Sequence, residues 1–183
     1  MAGFNFEKNL EHQTSAVESV LGVFASVGAK PSDDKTMANI SNPVIKIDKS
    51  RYSGNIGRVQ YNNGIDKKLS NIHSNVIDIS METGTGKTYA YTKMMFELNK
   101  HLGMIKFVVI VPTLSIKAGT VNFLSSDAAK EHFRQEYKRE IKIHLVESVK
   151  GAKKNKKSYM PQAVKEFVEA NSFGGKTIHA LII

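Results

Sequence analysis

Apolar positions along this chain recur with two different spacings, and the switches between them lay out helices and strands in alternation. Ala16, Val17, Val20, Leu21 and Phe24 fall at helical spacing, with Gly28 as a stop. Val76, Ile77 and Ile79 form a short apolar run that reads as a buried strand. After a glycine-containing turn, helical spacing returns through Tyr91, Met94, Met95, Leu98 and Leu102, and Gly103 is its expected cap. Lys106 to Val111 is a second buried-type strand. Helices are predicted from about Ser115 to Leu124 and from Asp127 to Arg139, with Ser126 or Asp127 as N-cap. Ile141 to Val146 alternates apolar residues with Lys142 and His144, a strand pattern. Pro161 to Ala170 is a short helix, and Thr177 to Ile183 a final strand. Strands alternating with helices predict an α/β fold, a parallel sheet covered by helices on both faces.

The stretch from 30 to 75 breaks this pattern. It is polar and rich in Asn, Ser, Asp and Gly, and Asn63-Gly64 is a turn signal. The expectation is an irregular insertion with a short β-hairpin around Asn55 to Asp66. The chain therefore divides into 1–29, an N-terminal helix region; 30–75, the insertion; and 76–183, the main α/β unit. Its last residues lie inside an apolar strand pattern, which reads as a piece of a longer polypeptide.

Composition narrows the class. An apolar fraction of 41% and a charged fraction of 23% are ordinary for a globular protein. The N-terminus lacks the apolar core of a signal peptide, and no apolar run is long enough to span a bilayer. Without cysteine there are no disulfides or thiolate metal sites, which fits a cytoplasmic protein. The net charge of +9 is concentrated: residues 130–165 hold eleven basic and four acidic residues, a local excess of +7. Such a field suits a polyanion such as nucleic acid.

The strongest chemical signal is Met-Glu-Thr-Gly-Thr-Gly-Lys-Thr at 81–88, set between a predicted strand and a predicted helix. A strand, a glycine turn carrying Gly-Lys-Thr and a helix make a phosphate-binding loop. Gly84 and Gly86 allow main-chain N–H groups to close on phosphate oxygens, and the helix start adds its own amides and dipole. Thr83, Gly84, Thr85, Gly86, Lys87 and Thr88 are the nucleotide-binding candidates, for ATP with Mg²⁺. Lys87 would bridge the β- and γ-phosphates, and the Thr88 hydroxyl would sit on the Mg²⁺. The general pattern places glycine where this chain has Met81, a departure that helicase-type loops tolerate.

Gln13 is the second candidate, because a glutamine amide matches N6 and N7 of adenine. Read alone, it fits better as a residue beside an exposed helix start; its place ahead of a phosphate loop turns the balance. Phe4 or Phe6 could stack on the base. Val-Pro-Thr-Leu-Ser at 111–115 follows the second strand, and Thr113, Ser115 and Lys117 offer hydroxyls and a charge to nucleic-acid phosphates, although Thr113 is equally a helix cap. Five lysines in the eight residues 150–157, among them Lys153, Lys154, Lys156 and Lys157, either track DNA phosphates or form a solvated loop. The six histidines share no metal-ligand spacing.

Together these stretches resemble the restriction (Res) subunit of type III restriction-modification enzymes, a superfamily 2 helicase-like family. The resemblance rests on Met-Glu-Thr-Gly-Thr-Gly-Lys-Thr-Tyr at 81–89, Phe-Glu-Lys-Asn-Leu-Glu-His-Gln at 6–13, Val-Pro-Thr-Leu-Ser-Ile-Lys-Ala-Gly-Thr-Val-Asn-Phe at 111–123 and Lys-Ser-Tyr-Met-Pro-Gln-Ala at 157–163. It covers nearly the whole chain and is weakest at 30–72. It implies a RecA-like fold and the N-terminal part of an ATP-dependent, site-specific DNA endonuclease. That subunit would act on double-stranded DNA beside a methyltransferase (Mod) partner, in the cytoplasm and without a membrane. The family's acidic Mg²⁺ box, second motor domain and nuclease have no counterpart in the sequence, so this piece alone is expected to be inactive. The competing readings are a superfamily 2 helicase without a nuclease, and a small phosphate-loop nucleotide-binding protein unconnected with nucleic acid.

Overall fold

The computed structural model describes residues 7–30, 39–66, 76–147 and 160–183. Its elements run α1 (Glu11–Val23), β1 (Ala29–Lys30), β2 (Val44–Ile45), α2 (Lys49–Asn62), α3 (Lys87–Leu102), β3 (Lys106–Val109), α4 (Leu114–Ser125), α5 (Asp127–Tyr137), β4 (Glu140–Leu145), α6 (Gln162–Glu169) and β5 (Thr177–Ile182). One short 3₁₀ turn precedes β5.

The main sheet is parallel, in the order β3–β5–β4, with Lys106 opposite His179 and Glu140 opposite Thr177. Alternation along the strands sorts the side chains onto two faces. Ile178 and Ile182 of β5, with Ile141, Ile143 and Leu145 of β4, meet Phe96 of α3 and Phe133 and Tyr137 of α5. Phe96 stacks on Phe133 with ring centroids 4.8 Å apart and on Tyr137 at 5.0 Å. The opposite face carries His144 and His179, and Phe167 of α6 lies edge-on to His144 at 5.7 Å. Helices thus cover both faces, as the alternation of elements predicts.

Helix boundaries follow local chemistry. Thr113 caps α4 by accepting the Ile116 N–H, and Ser126 caps α5 by accepting that of Ala129. α5 stops two residues short of the predicted Arg139, because Lys138 turns into a left-handed conformation (φ 55°). α1 packs through Val20 against Leu98 and Leu102 of α3.

Two expectations are corrected. Val76, Ile77 and Ile79 do not form a strand: residues 76–82 are irregular, and Val76 and Ile79 are exposed. The run holds only three apolar residues around Asp78, and Ile77 finds its apolar partners in the α1–α3 cluster without joining the sheet. Nor is there a hairpin around Asn55 to Asp66. That stretch belongs to helix α2 and the turn at Asn63–Gly64 that ends it. Asp48 caps the helix by accepting from the Ser50 N–H at 2.6 Å. α2 buries no residue fully; its apolar positions, Tyr52, Ile56 and Val59, are half-buried. Polar contacts add to them. Asn55 Nδ2 donates to the carbonyls of Val23 and Ala25 (2.9 and 3.1 Å), Arg58 to Gly22 (3.3 Å) and Arg51 to Ser26 (3.2 Å). These carbonyls lie at the C-terminal end of α1 and just past it, where a helix leaves its acceptors without partners of its own. Gly22 also lets the helices approach, since a Cβ there would lie 2.9 Å from Val59 Cγ2.

Candidate nucleotide site

Residues 82–88 fold as a tight loop running into α3. Gly84 and Gly86 have φ of +84° and +82°, left-handed values that glycine adopts at little cost. Gly86 is the N-cap of α3 and has no side chain to cap it, so the first amides of the helix have no side-chain cap. The loop is closed on one carbonyl: Glu82 O accepts from Lys87 Nζ at 2.5 Å and from Thr85 Oγ1 at 2.7 Å. Thr83 is exposed, and Thr88 is half-buried in the first turn of α3. The carboxylate-bearing residues Asp78 and Glu82 are both exposed.

Gln13 reaches this loop across 72 residues of sequence. It is buried, its Nε2 donates to the Thr85 carbonyl at 3.2 Å, and its Oε1 accepts from the Leu10 N–H at 3.3 Å. His12 Nε2 lies 2.8 Å from the same Thr85 carbonyl. A Cβ on Gly86 would come within 2.5 Å of Gln13 Nε2, so the glycine serves both the backbone turn and the close approach. The bonds to Leu10 and Thr85 use one amide hydrogen and one lone pair of a side chain that has two of each.

Sequence reasoning missed a polar cluster beneath this junction. Asn9 Oδ1 accepts from Tyr89 Oη at 3.0 Å and from Lys93 Nζ. Lys93 pairs with Glu136 at 3.4 Å, and His132 Nε2 lies 3.3 Å from Glu136 and 3.1 Å from Tyr89 Oη. Burial, with the Glu136 carboxylate adding to it against the Asn9 bond, pushes the Tyr89 hydroxyl up to about 12. Burial holds His132 below the usual imidazole range, with Glu136 pulling the other way. The spacings Tyr89/Lys93 and His132/Glu136 are both i,i+4 on helices and could have been noticed. Nothing local pointed to Asn9.

Thr113, Ser115 and Lys117 lie at the start of α4. Thr113 and Ser115 are exposed, and the Lys117 ammonium donates to the Val146 carbonyl just past β4. This turn follows the C-terminal end of β3, the end where parallel α/β sheets bind ligands. The structure brings Gln13 to the loop before α3 and leaves these three residues as a separate group. Phe6, Lys153, Lys154, Lys156 and Lys157 lie outside the described residues. Among the described residues, no three His, Asp or Glu side chains are grouped to hold a metal, and no helix is long and apolar enough to cross a membrane.

A family model described as "Type III restriction enzyme, res subunit" matches residues 10–180. The chain is 56% identical to the EcoPI Res subunit of Escherichia phage P1 and 55% identical to the EcoP15I Res subunit of Escherichia coli, in each case over 99% of its own length and 19% of the relative's. It is 34% identical to the StyLTI Res subunit of Salmonella typhimurium, over 96% of the chain and 15% of that relative. It therefore spans about a fifth of the length of the two most similar of these proteins.

Proposed function

Because this chain belongs to the family of type III restriction enzyme Res subunits, we propose that it is the ATP-binding part of an ATP-dependent, DNA-translocating endonuclease subunit. The observation that carries this reading is the junction of Gln13 with a left-handed Gly-Thr-Gly loop at the head of α3. It supports the reading because a glutamine amide, of the kind that matches adenine, lies beside a glycine loop of the shape that suits phosphate. The sheet with helices on both faces fits a RecA-like unit over 76–183, fronted by the helix region 1–29 and the segment 30–75.

In this reading the amides of residues 84–88 take the triphosphate oxygens. Lys87 exchanges the Glu82 carbonyl for the β- and γ-phosphates, a stronger, charge-assisted partner. Gln13 reads the base with the hydrogen and lone pair that its Leu10 and Thr85 bonds leave over, and Phe6 stacks on it. Thr88 would hold Mg²⁺ through its hydroxyl, with phosphate and water supplying further ligands. When bound, the metal neutralises charge developing on the phosphates.

The same reading gives double-stranded DNA to Thr113, Ser115 and Lys117 at the start of α4, with the lysines at 153, 154, 156 and 157 adding charge. It also gives the subunit a methyltransferase (Mod) partner and a cytoplasmic setting. The test is ATP affinity in the Lys87→Ala variant. Losing a charged hydrogen-bond partner of the phosphates weakens binding by about 10- to 100-fold. Undiminished affinity, measured calorimetrically, overturns the phosphate role.

A further inference from the structure

Asn9 sits where three parts of the nucleotide site come together. Its backbone is left-handed (φ 54°), a conformation that asparagine tolerates better than most residues. Its side-chain oxygen takes hydrogen bonds from Tyr89 and Lys93, one turn apart on α3 and both buried. The next residue, Leu10, is the N-cap of α1 and gives its N–H to Gln13 Oε1. Gln13 in turn donates to Thr85 O, immediately before Gly86, where α3 begins. The chain of contacts therefore closes on itself: α3, Asn9, Leu10, Gln13, the phosphate loop and α3 again.

Apolar packing holds α1 from its second turn on: Ala16 and Val17 are buried, and Val20 meets Leu98 and Leu102. In the first turn and just before it, the contacts to α3 and its loop are polar, from Asn9, His12 and Gln13. Asn9 is exposed, so its two bonds are made at the surface to groups buried beneath it. Below, Glu136 balances the Lys93 charge and meets His132.

We infer that Asn9 is a positioning residue: by clamping the start of α1 onto Tyr89 and Lys93 it holds Gln13 against the phosphate loop, so that base recognition and phosphate binding are set together. The inference rests on the ATP reading above for its ligand, and on geometry alone for the clamp.

Two substitutions in the intact chain separate the clamp from simple folding. Asn9→Gly keeps the left-handed backbone and removes the acceptor. Asn9→Asp keeps the acceptor and faces the Lys93 ammonium with a carboxylate. In Asn9→Gly, exchange of the Thr14 and Ala90 amides, which are bonded to the carbonyls of Leu10 and Gly86, should quicken about tenfold, while exchange in α5 and β5 stays as it is. ATP affinity should fall by about tenfold, and preference for ATP over GTP should narrow. Asn9→Asp should restore all three. Unchanged exchange at Thr14 and Ala90 in Asn9→Gly overturns the inference, as does an Asn9→Asp variant that exchanges like Asn9→Gly. If the parent chain binds no ATP, the proposed function falls, and the exchange measurement, made without nucleotide, still decides the clamp.

Discussion

Gly86 does two jobs at one Cα. Its φ of +82° places it where a side chain is strained, and a Cβ would press to within 2.5 Å of Gln13 Nε2. Gly84 has the same kind of backbone (φ +84°) but open space around it. Gly84→Ala should cost only the left-handed strain, roughly 1 kcal/mol. Gly86→Ala should add displacement of Gln13, and weaken ATP binding by about 1–3 kcal/mol once the amide loses its partner. Calorimetric titration of the two variants checks the order, and equal losses would remove Gln13 from the explanation. At this scale the turn at Gly84 and Gly86 and the helix that starts at Lys87 were readable from sequence, because glycine adopts such backbone angles at little cost. Asn9 was not readable. Its partners lie 80 and 84 residues away, and no local spacing marks a contact made by tertiary folding.

Strands and helices were legible wherever burial imposes a period. α3, α5, β4 and β5 carry the aromatic and aliphatic residues of one core, and periodicity located them to within one or two residues. α2 escaped because its three apolar positions, Tyr52, Ile56 and Val59, are only half-buried and stand among Gly, Ser and Asn, while the Asn-Gly pair at its end mimics a hairpin turn. The Val76–Ile79 run misled in the opposite sense, since three apolar residues suggest a strand without supplying its hydrogen-bonding neighbour.

The contact between β4, β5 and α6 has a pH dependence of its own. His144 Nε2 and His179 Nδ1 lie 3.1 Å apart, both buried, and His179 Nε2 is 3.4 Å from the Asn171 carbonyl. With His179 donating to Asn171, His144 must donate to His179, and both rings are neutral. Burial holds both below the usual imidazole range. Lys142 on β4 and Lys106 on β3 push them further down, while Glu166 on α6 opposes this for His144 and the Asn171 bond does so for His179. The unfolded chain therefore takes up protons first. Stability should be full above about pH 6.5 and decline as pH falls through the lower folded-state values. Denaturant unfolding between pH 8 and 5 reads this. In His179→Gln the decline should be shallower, and an unaltered slope would assign it elsewhere.

Over the whole molecule, charge is distributed unevenly. Eleven basic residues against four acidic ones occupy 130–165, while the nucleotide loop lies in the earlier part of the chain. If that field holds DNA, replacing Lys153, Lys154, Lys156 and Lys157 by Ser should flatten the plot of log affinity against log salt by about 0.9 for each phosphate no longer neutralised. Fluorescence anisotropy over a salt series measures the slope, and an unchanged value would return those lysines to solvent. The contact between Gln13 and Thr85 has another kind of consequence. Two stretches 72 residues apart in sequence meet at this contact, and the chain between them is anchored on the way, by Val20 on α3 and by the contacts of α2 with the end of α1, so only the segments between anchors act as tethers. Doubling the length of a tether adds only about 0.6 kcal/mol of closure entropy. A reporter module spliced in at the exposed Gly64, past the end of α2, should therefore leave the contact between Gln13 and Thr85 intact, which makes that turn a practical port for following it.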